Sequence, residues 1–351
     1  MRPTRTPPRR AYRRRIYRRR RRFRPQFLAL VAIITTLGVW AAQIGGALAI
    51  EPEEEAQTPA HEADAAPPLP IDISLLQINF DNTRRIYQFY YHNTPLDLNR
   101  HHIIDPYNLV RLLTYNPAYN RISVFTDVPA VFFIEHSIYT DNVYITAANP
   151  RSVYDKILII DPGHGGSDAG ATVDGINESD ITLQISLQLY ALFSNSNSGI
   201  RVFITRDDDS FVFNSRRSHI AGAVGDLLLS VHTNAYPYDS RVTGTETLYN
   251  PAGQKALFGN TGRFNITNAA FSQIAQDHLV AELATRDRGI LQRTDILLLN
   301  TSTIPTAYVE IDFKTNPQSL ANLTDPAYQQ RIAQALYRSV IEAFAQAISN
   351  E

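Results

Sequence analysis

The hydrophobic pattern divides the second half of the chain into strands and helices. From residue 156 onward, short apolar runs alternate with longer stretches whose apolar residues recur every three or four positions. The short runs predict strands over residues 157–160, 202–205, 227–231, 245–249 and 307–311. The longer stretches predict helices over residues 178–193, 214–224, 266–285 and 326–348. This alternation is typical of an α/β fold, a mostly parallel twisted sheet with helices on both faces.

A different pattern covers residues 71–150. Short apolar runs, among them residues 86–91, 128–134 and 142–146, are separated by turns rich in Asn, Asp and Pro. The pattern predicts a β-rich region before the α/β domain of residues 151–351. The region is either a small domain of its own or an extension of the α/β domain.

The first seventy residues predict a membrane-targeting element and a linker. Residues 27–50 contain no charged residue, and about 20 apolar helical residues suffice to cross a bilayer core. The basic tail of residues 1–26 and the acidic residues after position 50 orient the rest of the chain outside the cytoplasm. Ala47-Leu48-Ala49 also fits a signal-peptidase site, so the segment is either an anchor or a cleaved signal. Residues 51–70, rich in Ala, Glu and Pro, predict a disordered linker.

Charge and cysteine content narrow the function classes. The net charge of −1 conceals a block of arginines in residues 1–24, where no acidic residue occurs. Such a block is a candidate for nucleic-acid binding, but here it runs directly into the predicted membrane segment. Anionic lipid headgroups explain it more simply, so we expect membrane contact and no nucleic-acid partner. Because the chain has no cysteine, a metal site has to use histidine and carboxylate ligands.

Two histidines follow predicted strands at the points where such sheets bind ligands. His164 lies in Asp161-Pro-Gly-His-Gly-Gly166, and His232 lies in Ser230-Val-His-Thr-Asn234. A lone histidine in a glycine-rich loop is more often a turn residue than a ligand. His232, at a strand end, stands where a ligand is expected.

A carboxylate completes a possible metal-binding set. Glu178 opens a predicted helix on the same face as Ile181 and Ile185, so it is expected to point inward. A glutamate in a first helical turn is more often a partner of the helix dipole, yet a buried carboxylate needs a cation or hydrogen-bond donors. Two histidines and a carboxylate form the three-ligand set of hydrolytic zinc sites, which leave the fourth position open for water.

Glu310 is the candidate for proton transfer at such a site. It lies in the apolar run Tyr308-Val-Glu-Ile-Asp-Phe313, near the end of the last predicted strand. A carboxylate inside a strand is more often a salt-bridged structural residue. Beside an activated water it can act as general base and then as general acid.

The motifs together resemble a known family. Residues 156–344 resemble the zinc-dependent N-acetylmuramoyl-L-alanine amidases of the bacterial cell wall, the group that includes cell-separation and sporulation amidases. The matching elements, in the family's order and approximate spacing, are Asp161-Pro-Gly-His-Gly-Gly166, Glu178, Thr205-Arg206 with Asp207 to Asp209, Arg216, Ser230-Val-His-Thr-Asn234, Gly244-Thr-Glu246, Arg288-Gly289 and Val309-Glu310 to Asn316.

The resemblance implies a specific reaction. Zn²⁺ would be held by His164, Glu178 and His232, with Glu310 as catalytic acid and base, and the amide between muramic acid and L-alanine of the stem peptide would be hydrolysed. The protein is expected in the cell envelope outside the cytoplasm, either membrane-anchored or secreted. Its expected partner is peptidoglycan and its expected state is a monomer. An unidentified protein activator is an open possibility. Two alternatives stay open: a catalytically silent peptidoglycan-binding or regulatory module, against which the retention of all four residues argues, and a zinc peptidase acting within the stem peptide.

Several residues depart from the family pattern or have no assigned role. Asp312 stands where the family usually has glycine, and the loop of residues 250–268 is expected to gate or lengthen the substrate groove. Arg206 and Arg216 are expected either to bind substrate carboxylates or to form structural ion pairs with Asp207 to Asp209. Surface or core roles, rather than metal binding, are expected for His101, His102, His136, His219 and His278.

Overall fold

The computed structural model describes residues 76–81, 86–91, 101–116, 118, 121–137, 142–252 and 263–349. The basic tail, the membrane segment and the linker predicted for residues 1–70 lie outside this set, so they stay predictions. Within the described ranges, no helix is both long and apolar enough to cross a bilayer.

Seven strands occupy the region that was expected to be β-rich. They are β1 (Leu76–Asp81), β2 (Ile86–Tyr91), β3 (His101–Ile104), β4 (Val110–Asn116), β5 (Arg121–Thr126), β6 (Val131–His136) and β7 (Val143–Ala148). Strands β1, β2, β5 and β4 form an antiparallel sheet in that order. In a second sheet, β7 pairs with β3 in parallel and with β6 antiparallel.

The rest of the chain forms the predicted α/β architecture. Its strands are β8 (Lys156–Pro162), β9 (Thr172–Val173), β10 (Ile176–Asn177), β11 (Ile200–Ile204), β12 (Leu227–Asn234), β13 (Thr245–Tyr249), β14 (Asp287–Gln292) and β15 (Thr306–Phe313). Its helices are α1 (Glu178–Ser194), α2 (Asn214–Val224), α3 (Asn268–Leu283), α4 (Leu297–Thr301), α5 (Pro317–Thr324) and α6 (Pro326–Ser349).

Six strands form one mixed sheet in the order β11-β8-β12-β15-β13-β14. All neighbours run parallel except β13 and β15, which are antiparallel. The predicted α/β class is therefore confirmed. Strand β14 and helices α4 and α5 have no counterpart in the hydrophobic pattern, because β14 is a half-exposed edge strand and the two helices are short.

The two faces of this sheet are covered differently. Alternate residues of β12, such as Leu227 and Leu229, pack in a core with α1, α3 and α6. The residue between them, Leu228, packs on the opposite face with residues of α2 and α4. Both faces are thus buried, which explains why the central strands are apolar in every position rather than in alternate ones.

The N-terminal strands share the second of these cores. Phe89 and Ile122 from the antiparallel sheet belong to one cluster with Ile157, Ile159 and Phe203 of the six-stranded sheet. One buried cluster therefore extends across the join between the two regions. The domain boundary drawn at residue 150 stays a prediction.

This shared core predicts the effect of truncating Phe89, which is fully buried and packs edge-on against Phe132 with ring centroids 5.4 Å apart. Phe89→Ala should lower the free energy of unfolding by about 3–5 kcal/mol. Because the cluster includes the central sheet, a single cooperative transition should shift in urea denaturation followed by circular dichroism. The matched control is Phe133→Ala, which removes a ring that is 46% exposed and should change stability little. Two separate transitions, with only the smaller one shifted, would contradict the shared core.

Candidate metal centre and catalytic site

The site is built on one face of the central sheet, toward the carboxyl ends of the parallel strands. Strand register places Ser230 opposite Asp161, His232 opposite Glu310, and Glu310 opposite Glu246. Residues directly opposite each other on neighbouring strands project to the same side of a sheet. Four adjacent strands therefore carry polar side chains onto one face, toward the carboxyl ends of β8, β12 and β15 and at the amino end of the antiparallel strand β13.

The loop after β8 brings His164 to this face. His164 has a left-handed backbone conformation with φ 59°, and the two glycines that follow also have positive φ. Gly163 is needed for a different reason, because a Cβ there would lie 2.2 Å from Cε1 of His232. The glycine-rich motif thus lets the backbone turn sharply and lets the two imidazoles approach, with ring centroids 4.9 Å apart.

Glu178 lies between the two histidines. It is the first residue of α1 and is 4% exposed, as the inward position in the helical pattern predicted. Its Oε1 is 3.3 Å from Nε2 of His164 and 3.0 Å from Nδ1 of His232. The backbone N–H of Thr233 donates to the same oxygen, and the N–H of Ala171 donates to Oε2, each at 3.1 Å.

These three side chains can hold a metal ion. One ligand atom from each of His164, Glu178 and His232 lies within 4.8 Å of the others. Two imidazoles and one carboxylate match the donor set of hydrolytic zinc sites. The second nitrogen of His164, Nδ1, lies 2.9 Å from Oδ2 of Asp168. A carboxylate in that place fixes the orientation of a ligating imidazole.

The protonation tendencies fit a cation site. Burial disfavours the charged form of Glu178, but hydrogen bonds to His164 and His232 outweigh it and hold its pKa far below the usual range. Burial lowers the pKa of His232. Burial also opposes the charged form of His164, yet Glu178 and Asp168 raise its pKa overall. An anion shared by two imidazoles is the electrostatic arrangement that a divalent cation would neutralise.

Glu310 lies beside this group in an unusual state. Its Oε2 is buried and has no hydrogen-bond partner in the part of the chain that the structure describes. Burial raises the pKa of the Glu310 carboxyl well above its usual range, and the charges of Glu178 and Glu246 raise it further, while Arg293 opposes them. A carboxyl that holds its proton at higher pH is suited to acid–base catalysis near neutrality.

A buried ion pair supports the loop that carries His164. Asp161 accepts hydrogen bonds from Nη1 of Arg217 at 2.7 Å, Oγ1 of Thr205 at 2.6 Å and Oγ of Ser230 at 2.8 Å. Arg217 also donates to the backbone carbonyl of His164 at 2.6 Å. Sequence reasoning missed Arg217, because its partner is 56 residues away and no local pattern marks the pair.

Arg206 has a structural role and is fully buried. Its guanidinium donates to the backbone carbonyls of Pro162, Gly163, Ser179 and Asp208. Its guanidinium also donates to Oγ1 of Thr182 at 3.2 Å. The expected alternatives, a substrate carboxylate or ion pairs with side chains of residues 207–209, stay predictions.

Arg216 is partly exposed, and its Nη1 lies 3.9 Å from Oδ1 of Asp127. Asp127 is not one of the acidic residues, Asp207 to Asp209, that were expected to pair with Arg216.

A cavity of about 290 Å³ opens beside the two histidines. Its wall includes the exposed apolar side chains of Phe211, Phe213 and Leu297, and Tyr308. The ring of Tyr308 stacks on His232 with centroids 4.0 Å apart and an interplanar angle of 14°. The sequence did not reveal this wall, because its residues come from one loop, from helix α4 and from strand β15.

Asp312 has a clear structural function. Its Oδ1 accepts hydrogen bonds from the backbone N–H groups of Gly244 and Phe313, and its Oδ2 accepts one from Oγ of Ser319. The side chain therefore joins the start of β13 and helix α5 to the end of β15. Within the loop of residues 250–268, residues 253–262 are not described, so its gating role stays a prediction.

The other described histidines, for which surface or core roles were expected, lie away from this site. His278 pairs with Glu342 at 2.8 Å, His102 stacks on Tyr144, His101 is buried and His219 is exposed. The side chain of His136 is not described. Of the described residues, those that form a possible metal cluster are His164, Glu178 and His232.

Comparison with known proteins gives a consistent picture. Residues 158–342 match the family model described as N-acetylmuramoyl-L-alanine amidase, Amidase_3. The N-acetylmuramoyl-L-alanine amidase LytC of Bacillus subtilis is 30% identical over 192 residues, which are 55% of this chain and 36% of LytC. The uncharacterized protein YqiI of the same organism is 31% identical over 195 residues, which are 55% of this chain and 86% of YqiI.

Solved structures include a similar chain. The CwlD amidase from Clostridioides difficile, in complex with the GerS lipoprotein, is 29% identical with a TM-score of 0.48, over 56% of this chain and 100% of that one. The match to the first two curated relatives spans about a third of their length, 36% and 35%.

The ion pair under the His164 loop predicts a pH-dependent stability. Burial opposes the charge of Asp161, but Arg217 and the two hydroxyl donors keep its pKa below the usual value. A depressed folded-state pKa contributes stability above the unfolded-state pKa of about 4, which is lost as pH falls through the folded-state value. Asp161→Asn should therefore cost about 3–5 kcal/mol at pH 7, where Arg217 loses its partner.

The difference between the wild type and Asp161→Asn should shrink as the pH is lowered below 4 in urea denaturation series. Asp127→Asn, which affects a half-exposed carboxylate paired with the partly exposed Arg111 and Arg216, is the control and should change stability little at any pH. A constant difference between wild type and Asp161→Asn across the acidic range would contradict a charged Asp161.

Proposed function

Because the chain belongs to the Amidase_3 family of N-acetylmuramoyl-L-alanine amidases, we propose that it hydrolyses the amide between N-acetylmuramoyl residues and L-alanine of the peptidoglycan stem peptide. The observation that carries this proposal is the convergence of His164, Glu178 and His232 next to Glu310. Acyl-group hydrolysis needs an electrophilic site and a proton carrier side by side. With a metal ion bound by the three ligands, this face of the sheet would offer both.

The proposed metal is Zn²⁺, held by His164, Glu178 and His232. The fit rests on the donor set and on the anionic carboxylate placed between two imidazoles. Zn²⁺ bound there would polarise the amide carbonyl and make water acidic enough to attack at neutral pH. His164 is oriented by Asp168, while His232 is held between the stacked ring of Tyr308 and Gly163.

Glu310 would move the proton. As a carboxylate it takes a proton from the attacking water when oxygen adds to the amide carbon. As a carboxylic acid it then gives that proton to the nitrogen of L-alanine when the carbon–nitrogen bond breaks. The raised pKa of Glu310 favours the first of these steps, because a carboxylate with a higher pKa is a stronger base towards the attacking water.

The proposed setting is the cell envelope, outside the cytoplasm. The support is the uncharged segment of residues 27–50, preceded by the arginine block, in a chain whose family acts on a wall polymer. Residues 27–50 would either anchor the protein in the membrane or be removed as a signal. The proposed partner is peptidoglycan, the proposed state is a monomer, and no nucleic-acid partner is proposed.

Removal of the proton carrier tests this mechanism. Glu310→Gln should lower the rate of peptidoglycan digestion by the full chain at least about 100-fold, because proton transfer by a positioned side chain typically contributes 10²–10⁴-fold. Zinc content should be retained, since Glu310 is outside the proposed ligand set, whereas His232→Ala should lose the metal. Mass spectrometry of the products should detect free stem peptides that begin with L-alanine, absent after chelation.

The control is Glu135→Gln, which neutralises an exposed glutamate on β6 and should leave the rate unchanged. Peptides cut within the stem would identify a stem-peptide hydrolase instead. Intact glycopeptides in the presence of zinc-loaded wild type would favour a silent binding module, and full activity of Glu310→Gln would rule out its role in proton transfer.

A further inference from the structure

A fully buried lysine follows β15, four residues after Glu310. The side chain of Lys314 is 0% exposed, and its Nζ donates to the backbone carbonyls of Ala171 at 2.5 Å and Ile176 at 2.9 Å. Burial of an ammonium is costly unless hydrogen bonds compensate it. The two acceptors are more than 130 residues away in sequence, so this contact ties distant parts of the chain together.

One of the two carbonyls precedes a short hairpin and the other lies inside it. Strands β9 and β10 pair antiparallel between Ala171 and Glu178, and the turn residues Asp174 and Gly175 both have positive φ, 51° and 75°. Positive φ at both central residues is typical of the tight turns that join two adjacent strands. The ammonium of Lys314 therefore joins the residue before β9 to the first residue of β10.

The hairpin leads directly to Glu178. The carbonyl of Ala171 accepts a hydrogen bond from the backbone N–H of Glu178 at 3.0 Å, and the N–H of Ala171 donates to Oε2 of the Glu178 side chain at 3.1 Å. The same carbonyl also accepts from Lys314. One residue thus connects the lysine to both the backbone and the carboxylate of Glu178.

We propose that Lys314 is a positioning residue that holds the Glu178 carboxylate in place for the metal, through Ala171. This inference rests on the proposed zinc site. The end of β15 would then contribute to the site in two ways. It would carry the proton carrier Glu310, and through Lys314 it would fix the carboxylate ligand Glu178.

A purely electrostatic role of Lys314 would change metal binding in the direction opposite to that of a positioning role. Burial lowers the pKa of Lys314, and the nearby carboxylates of Glu178 and Asp180 oppose this shift. A cation close to the site repels Zn²⁺, so removal of the charge alone would tighten metal binding. Removal of a positioning contact would weaken it. The direction of the change in zinc affinity therefore distinguishes the two roles.

The test measures the dissociation constant of Zn²⁺ for the full chain by competition with a chelator. Lys314→Met keeps most of the side-chain length and removes the charge and the donors. We expect it to weaken zinc binding about 10- to 100-fold, as is typical when a group that supports a metal ligand is lost. Hydrogen exchange of the amides of residues 171–178 should become faster, because the hairpin loses the hydrogen bonds that Lys314 donates to it.

Lys314→Gln is the second variant, for use if the methionine variant does not fold. It also removes the charge, and its side chain is one atom shorter than that of lysine, so we expect weaker zinc binding there as well. Lys156→Met is the matched control, in which a lysine at the opposite end of the sheet is replaced, and it should leave zinc affinity unchanged. Unchanged or tighter zinc binding in either folded Lys314 variant would overturn the proposal. Failure of the wild type to bind zinc would instead refute the proposed function.

Discussion

The buried carboxylate of Glu178 is the constraint on which the rest of the site depends. A carboxylate at 4% exposure is unstable without partners, and its partners come from three separate parts of the chain. The loop after β8 supplies His164, β12 supplies His232 and Thr233, and the segment before the hairpin supplies Ala171. All of these segments have to reach the Glu178 carboxylate. This requirement accounts for the sharp turn after β8 and for the close approach of Gly163 to His232.

The way in which helices and the N-terminal strands cover the sheet explains why the site around Glu178 is accessible. Near the amino ends of the central strands, one face is sealed by α2, α4 and the N-terminal strands, which share a hydrophobic core with it. Toward the carboxyl ends the same face carries polar side chains and borders the cavity beside His164 and His232. The N-terminal strands therefore contribute to the platform on which the site stands without supplying a residue of the metal cluster.

The hydrophobic pattern of the sequence was sufficient to find the three residues of the possible metal cluster. The inward face of Glu178 follows from helical spacing, and the places of His164 and His232 follow from the ends of apolar strands; the structure brings all three together. Arg217, Tyr308 and Lys314 were not found, because their partners are separated from them by dozens of residues and neither spacing nor composition marks the contact. The same limitation applies to β14, whose residues are half-exposed and follow no clear alternation.

The pairing of His232 with Glu310 across two parallel strands has a consequence for how this chain can evolve. Side chains alternate between the faces of a sheet, so a shift of β15 by one residue against β12 would transfer Glu310 into the core of α1, α3 and α6. An insertion or deletion before His232 or Glu310 in these strands would therefore separate the two side chains unless a β-bulge absorbed it, as the register shift after His232 does in this pair.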